Sequence, residues 1–69
     1  MTPPTWLGHV IAPSGADLRT HPARTAPVIR CIVCGDVVRV HGVPACGGEW
    51  YPATYGAQSG FVLIEEVAE

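Results

Sequence analysis

Eight glycines and seven prolines are spread along 69 residues, and that density decides what the chain can build. Each one placed inside a helix costs about 1 to 3 kcal/mol, so long helices are excluded and short strands joined by turns remain. Apolar residues make up 48% and charged residues 14%, a balance that folds rather than one that stays disordered. A chain this short buries only about 60% of its unfolded surface, which gives a thin core and no room for a deep catalytic cleft. The expectation is one small all-β domain.

The turn residues divide the chain. Met1 to Thr5, with Pro3 and Pro4, reads as an extended lead-in, and residues 1–8 form an N-terminal arm that docks through Trp6. Residues 9–67 make up the folded part. His9 to Ala12 and Ala16 to Thr20 are short extended pieces around the Pro13-Ser14-Gly15 turn, and His21 to Pro27 is a loop. Val28 to Val33 and Val37 to His41 are strands that the Cys34-Gly35-Asp36 turn joins as a hairpin. Alternation in the second strand sends Val38 and Val40 to the core and Val37, Arg39 and His41 outward. Glu49 to Tyr55 and Gly60 to Leu63 follow around a turn at Gly56 to Ser59. Pro52 lacks an N–H, so it belongs at an edge or a bulge. About five short strands closed by turns imply a small barrel.

Three stretches then resemble the bacterial SH3 (SH3b) family. Ala16-Asp17-Leu18-Arg19-Thr20-His21-Pro22 is similar to its leucine-arginine-proline opening. Val28-Ile29 with Gly35 is similar to its hairpin, and Trp50-Tyr51-Pro52-Ala53-Thr54-Tyr55-Gly56 through Gly60-Phe61-Val62 to its tryptophan-tyrosine strand pair. The resemblance covers about residues 9–67 and implies an SH3-like barrel that binds protein, peptide or peptidoglycan without catalysis. It makes Trp50 and Tyr55 the recognition surface, with Tyr51 beside them and Arg19 and His21 from the neighbouring loop. His21 and Pro52 depart from the family pattern. With no enzyme domain beside it in this sequence, the module reads alternatively as a structural accessory subunit of a larger assembly, a virion or a multisubunit complex.

Other functions find less support. Four arginines, no lysine and a net charge of -2 leave no basic stripe for nucleic acid. No apolar run is long enough to span a bilayer and no leader pattern opens the sequence, so the expected setting is the cytoplasm or an intracellularly assembled complex, without membrane insertion. Reduced cysteines fit that setting. No histidine sits beside a nucleophile with an orienting carboxylate, so catalysis is not expected. Glu65, Glu66 and Glu69 read as a solvated acidic end.

Cys31, Cys34, His41 and Cys46 form C-x2-C-x6-H-x4-C, a set able to hold a structural zinc. Geometry opposes it. If Val37 to His41 is a strand, Cys34 and His41 lie about 20 Å apart and cannot share an ion unless the segment folds back. The expectation is therefore no cofactor, with zinc on these four residues as the competing reading.

Overall fold

The computed structural model describes residues 5–42 and 48–69. The proline-rich residues at the start of the lead-in, and Pro44 and Cys46 in the Gly42 to Gly48 loop, lie outside the described residues.

Seven strands follow in order: β1 (Thr5–Val10), β2 (Ala16–Arg19), β3 (Val28–Ile32), β4 (Val37–His41), β5 (Trp50–Tyr55), β6 (Gln58–Leu63) and β7 (Val67–Ala68), with a 3₁₀ turn at Ile64–Glu66 before the last. They form one antiparallel sheet in the order β3-β2-β6-β5-β4-β1-β7, curled into a small SH3-like barrel. The core is aliphatic: Val10, Ala16, Leu18, Ile32, Val38, Val40, Ala53, Val62 and Val67 are buried together. Among the described residues no polar side chain is buried, so the barrel needs no internal hydrogen-bond network.

The period-2 reading of β4 holds. Val38 and Val40 are buried while Val37 and Arg39 are exposed and His41 is half-buried. The β5–β6 pairing also runs without a gap from Trp50↔Leu63 to Tyr55↔Gln58. That register leaves a two-residue loop, Gly56-Ala57, with Gly56 at φ 62°. A side chain is disfavoured in that conformation, and the loop matches the twist of the strands it joins. β6 therefore starts at Gln58, inside the segment expected to be a turn. Pro52 lies just past the last β4–β5 pair, Val40↔Ala53, at the point where no β4 residue needs its missing N–H.

Two expectations fail. Strand structure starts at Thr5, not His9: Thr5 to His9 pair with His41 to Val37, so Thr5 through Gly8 belong to the sheet and not to an arm. The β3–β4 hairpin does not form either, because three strands stand between β3 and β4. The turn itself is present, with the Asp36 N–H donating to the Val33 carbonyl at 3.1 Å. Two further backbone groups of the turn serve β1: the Gly35 N–H donates to the Val10 carbonyl at 2.8 Å, and the Val10 N–H to the Asp36 carbonyl at 3.0 Å. β1 takes the place a hairpin partner would have, and the turn becomes a corner between the two flanks of the barrel. A tight turn between two valine-rich strands looks the same in sequence whether it closes a hairpin or rounds such a corner.

The acidic end is also only partly solvated. Glu65 and Glu69 are exposed, but Glu66 is half-buried, and burial, with Asp17 and Glu65 nearby, pushes its carboxyl pKa up. Its carbonyl accepts the Ile11 N–H at 2.9 Å, which ties the 3₁₀ turn to the end of β1.

Candidate functional site

β5 presents two faces, and they separate the residues singled out in the sequence. Tyr51, Ala53 and Tyr55 face the core side. Tyr51 meets Trp6 edge-to-face, with ring centroids 5.4 Å apart, at the end of the barrel where β1 begins. Tyr55 closes the opposite end: its hydroxyl donates to Asp36 Oδ2 at 2.5 Å and the Arg30 guanidinium lies 4.8 Å from its ring centroid. The two tyrosines therefore cap different ends and do not share one surface.

Trp50 does not lie on an open surface. It is 3% exposed, so its ring is packing and no ligand reaches it. Arg19 is also engaged. Its Nη1 donates to the Ala26 carbonyl at 2.7 Å and Nη2 reaches Asp17 Oδ2 at 3.4 Å, which pins the loop between β2 and β3. The Thr20 N–H donates to the Pro27 carbonyl at 3.1 Å and closes the base of that loop. His21 is exposed there, its Nδ1 within 2.8 Å of Thr20 Oγ1.

The hydrogen bond to Asp36 makes Tyr55 pH-sensitive. It is the main cause holding the phenol pKa above its usual value of 10.0, with desolvation and the Asp36 charge adding to it. A raised pKa means that the contact's contribution to stability is complete below pH 10 and is lost as pH rises through the raised value. The phenolate difference spectrum between the wild-type protein and Tyr55→Phe is expected to have its midpoint above pH 10. A midpoint at or below 10 would show that the hydrogen bond is absent in solution.

The other face of β5 holds a cleft. It is shallow and open, with a volume of about 270 Å³, and is walled by Thr20 from the loop, His41 from β4, Pro52 and Thr54 from β5, and Ser59 and Phe61 from β6. Three of these are hydrogen-bonded in series: His41 Nε2 and Thr54 Oγ1 are 2.7 Å apart, and Thr54 Oγ1 and Ser59 Oγ are 3.2 Å apart. Pro52 and Phe61, directly paired across β5–β6, supply an apolar wall beside that polar row. A second cavity of about 230 Å³ lies against Arg24, Glu49, Leu63, Ile64 and Glu65. There Arg24 and Glu65 pair with each other at 3.6 Å, and both are largely exposed.

Of the cleft residues, alternation makes the outward direction of His41 legible and sets Pro52 on the face of β5 opposite Tyr51, Ala53 and Tyr55, and Phe61 stands out as one of the aromatics able to line a ligand groove. Thr54 and Ser59 carried no signal, because a threonine and a serine on strands read equally well as ordinary sheet residues.

Within the cysteine set, the described residues Cys34 and His41 stand apart. Val37 to His41 is a regular strand paired with β1 along its whole length, so Cys34 and His41 lie at its two ends and the fold-back required for a shared ion does not occur. Cys31 and Cys34 are free and exposed, and among the described residues no group of three or more potential ligands gathers. Cys46 lies outside the described residues. No helix among the described residues is long and apolar enough to cross a membrane.

The strand order, the pinned loop and the aliphatic interior define an SH3-like barrel. No family model and no curated protein matches the sequence. Among solved structures, the chain is similar to NlpC2 from Trichomonas vaginalis, with a TM-score of 0.81 over 96% of its length at 18% identity. It spans 23% of that protein, so the likeness is to one part of a larger chain.

Proposed function

We propose that the protein is a non-catalytic binding module of the bacterial SH3 kind, and that it holds a short peptide, from a protein or from peptidoglycan, in the cleft walled by Thr20, His41, Pro52, Thr54, Ser59 and Phe61. The cleft is the observation that carries this reading. It combines an apolar wall with a few convergent polar groups, the usual make-up of a binding site. At about 270 Å³ it suits one or two residues of an extended chain rather than a folded partner. The His41 ring, its Nε2 against a threonine hydroxyl, gives the cleft a polar group for a ligand. The order of the three sequence motifs supports the family.

A second reading, an accessory subunit of a larger assembly, draws on the outer face of β1 and β4. Leu7 and Val37 are 60% and 56% exposed there and stand diagonally across the pair Leu7↔Arg39, His9↔Val37. Aliphatic side chains grouped in this way are often covered by a partner.

The two readings separate in a retention assay on purified peptidoglycan and on an immobilised hexapeptide pool. Phe61→Ala is expected to weaken retention about tenfold, the effect of losing ~1.4 kcal/mol of contact, while the chain stays folded. Unchanged retention, or loss only on Leu7→Ser, would move the site to the β1–β4 face.

A further inference from the structure

We propose that the group anchored in this cleft is a carboxylate, the free C-terminal end of a peptide, held between Arg39 and the His41, Thr54 and Ser59 row. The inference rests on the peptide-binding reading above and specifies which part of the peptide is recognised.

The charge distribution favours an anion at this face. All six acidic side chains of the protein lie among the described residues. Asp17 faces Arg19, Glu65 faces Arg24, and Asp36 accepts from Tyr55. None is within ion-pair reach of Arg39, whose exposed guanidinium has no carboxylate partner in the molecule. No acidic residue lines the cleft either, so nothing there repels an anion.

Strand register brings the donors together. Arg39 pairs directly with Thr54, and Thr54 directly with Ser59, so the three stand in one row across β4, β5 and β6. Directly opposed residues project from the same face with Cα atoms about 4.5 to 5.5 Å apart. The guanidinium therefore starts from the same face as the two hydroxyls. A planar fork of N–H donors matches the two oxygens of a carboxylate.

The protons of the row can be redistributed toward a ligand. The series His41 Nε2, Thr54 Oγ1 and Ser59 Oγ contains two hydrogen bonds. If Nε2 carries no proton, the two hydroxyl protons are both used within the series. If Nε2 carries one, it donates to Thr54, Thr54 donates to Ser59, and the Ser59 proton is left to donate outward. An arriving anion selects the second arrangement, so the row becomes a donor toward the ligand without any side chain moving.

The test is affinity capture by the intact protein from an N-acetylated hexapeptide library made in three matched forms, as free acids, as amides, and as amides carrying a phosphoserine, and read by mass spectrometry. The free acids are expected to be enriched tenfold or more over their amides. Arg39→Gln is expected to bring that ratio close to one while amide capture persists; the position is exposed and its replacement leaves the core intact. Equal capture of acids and amides would overturn the carboxylate anchor and leave peptide binding standing. Phosphoserine amides captured as well as the acids would also overturn it, in favour of a general oxyanion site. No capture of any form would overturn both the anchor and the peptide-binding reading.

Discussion

Leu18→Ala is expected to lower the unfolding free energy by about 2 to 5 kcal/mol, the range for truncating a buried leucine. In a domain of this size the core supplies about 3 to 5 kcal/mol in total, so the variant should be largely unfolded at room temperature. Leu18 is fully buried on β2, the strand that joins β3 to β6. The aliphatic cluster around it is small, with no second layer to collapse into the space its side chain leaves. Urea denaturation followed by tryptophan fluorescence reads the loss, with the buried Trp50 as a reporter. Leu7→Ala is the control: Leu7 is outward on β1, and its replacement should change stability by less than about 0.5 kcal/mol. A loss below about 1 kcal/mol for Leu18→Ala would mean that β2 does not sit inside the barrel as described.

Gly60→Ala has the second largest expected effect, through a contact that cannot relax. A Cβ on residue 60 would overlap the Arg19 carbonyl oxygen and press on Ile29 and Leu18 at 3.0 and 3.1 Å. The carbonyl is main chain, so no rotamer change relieves the overlap, and β2 and β6 must separate. Forcing atoms into packed space costs about 1 to 3 kcal/mol and sometimes more. The consequence for the cleft is direct. β2 and β6 are paired at Arg19↔Phe61, where Phe61 forms one wall and Arg19 pins the loop that carries Thr20. Gly60→Ala should therefore lower the melting temperature by more than about 5 °C and weaken peptide retention together. A variant as stable as the wild type, with retention intact, would contradict the close approach of these strands.

Much of the barrel was legible in the sequence because its strands obey the two-residue period. Val38 and Val40 announced their burial, and Trp50 through Tyr55 followed by Gly60 through Val62 carried the β5–β6 pair. What escaped was non-local. The Cys34-Gly35-Asp36 turn has hairpin chemistry, yet β1 takes its hydrogen bonds, and nothing within the turn specifies a partner more than twenty residues upstream. Thr5 to Gly8 follow two prolines and lack a clean alternation, so their pairing with β4 is visible only once β4 is in place.

The candidate site was less legible for a related reason. Aromatic residues draw attention as binding groups, but here Trp50 is packing, and Tyr51 and Tyr55 close opposite ends of the barrel. Arg19 was singled out as a contact residue, and its guanidinium instead holds the loop. Apart from Phe61, an aromatic able to line a groove, the cleft is made from side chains that are unremarkable alone and acquire a joint role only through the cross-strand register. Arg39 shows this most clearly. Alternation alone places it outward, but its lack of a carboxylate partner appears only when Asp17, Asp36 and Glu65 are seen to be engaged elsewhere.

The central claim is that the outer face of β4, β5 and β6 is the binding surface. Its most direct test is an amide-resolved NMR titration of the isotopically labelled protein with soluble peptidoglycan peptides and with the free-acid hexapeptide pool. The account predicts saturable shifts concentrated at the amides of Thr20, His41, Thr54, Ser59 and Phe61. Shifts centred instead on Trp6, Leu7 and Tyr51, or no saturable shift with either probe, would contradict it.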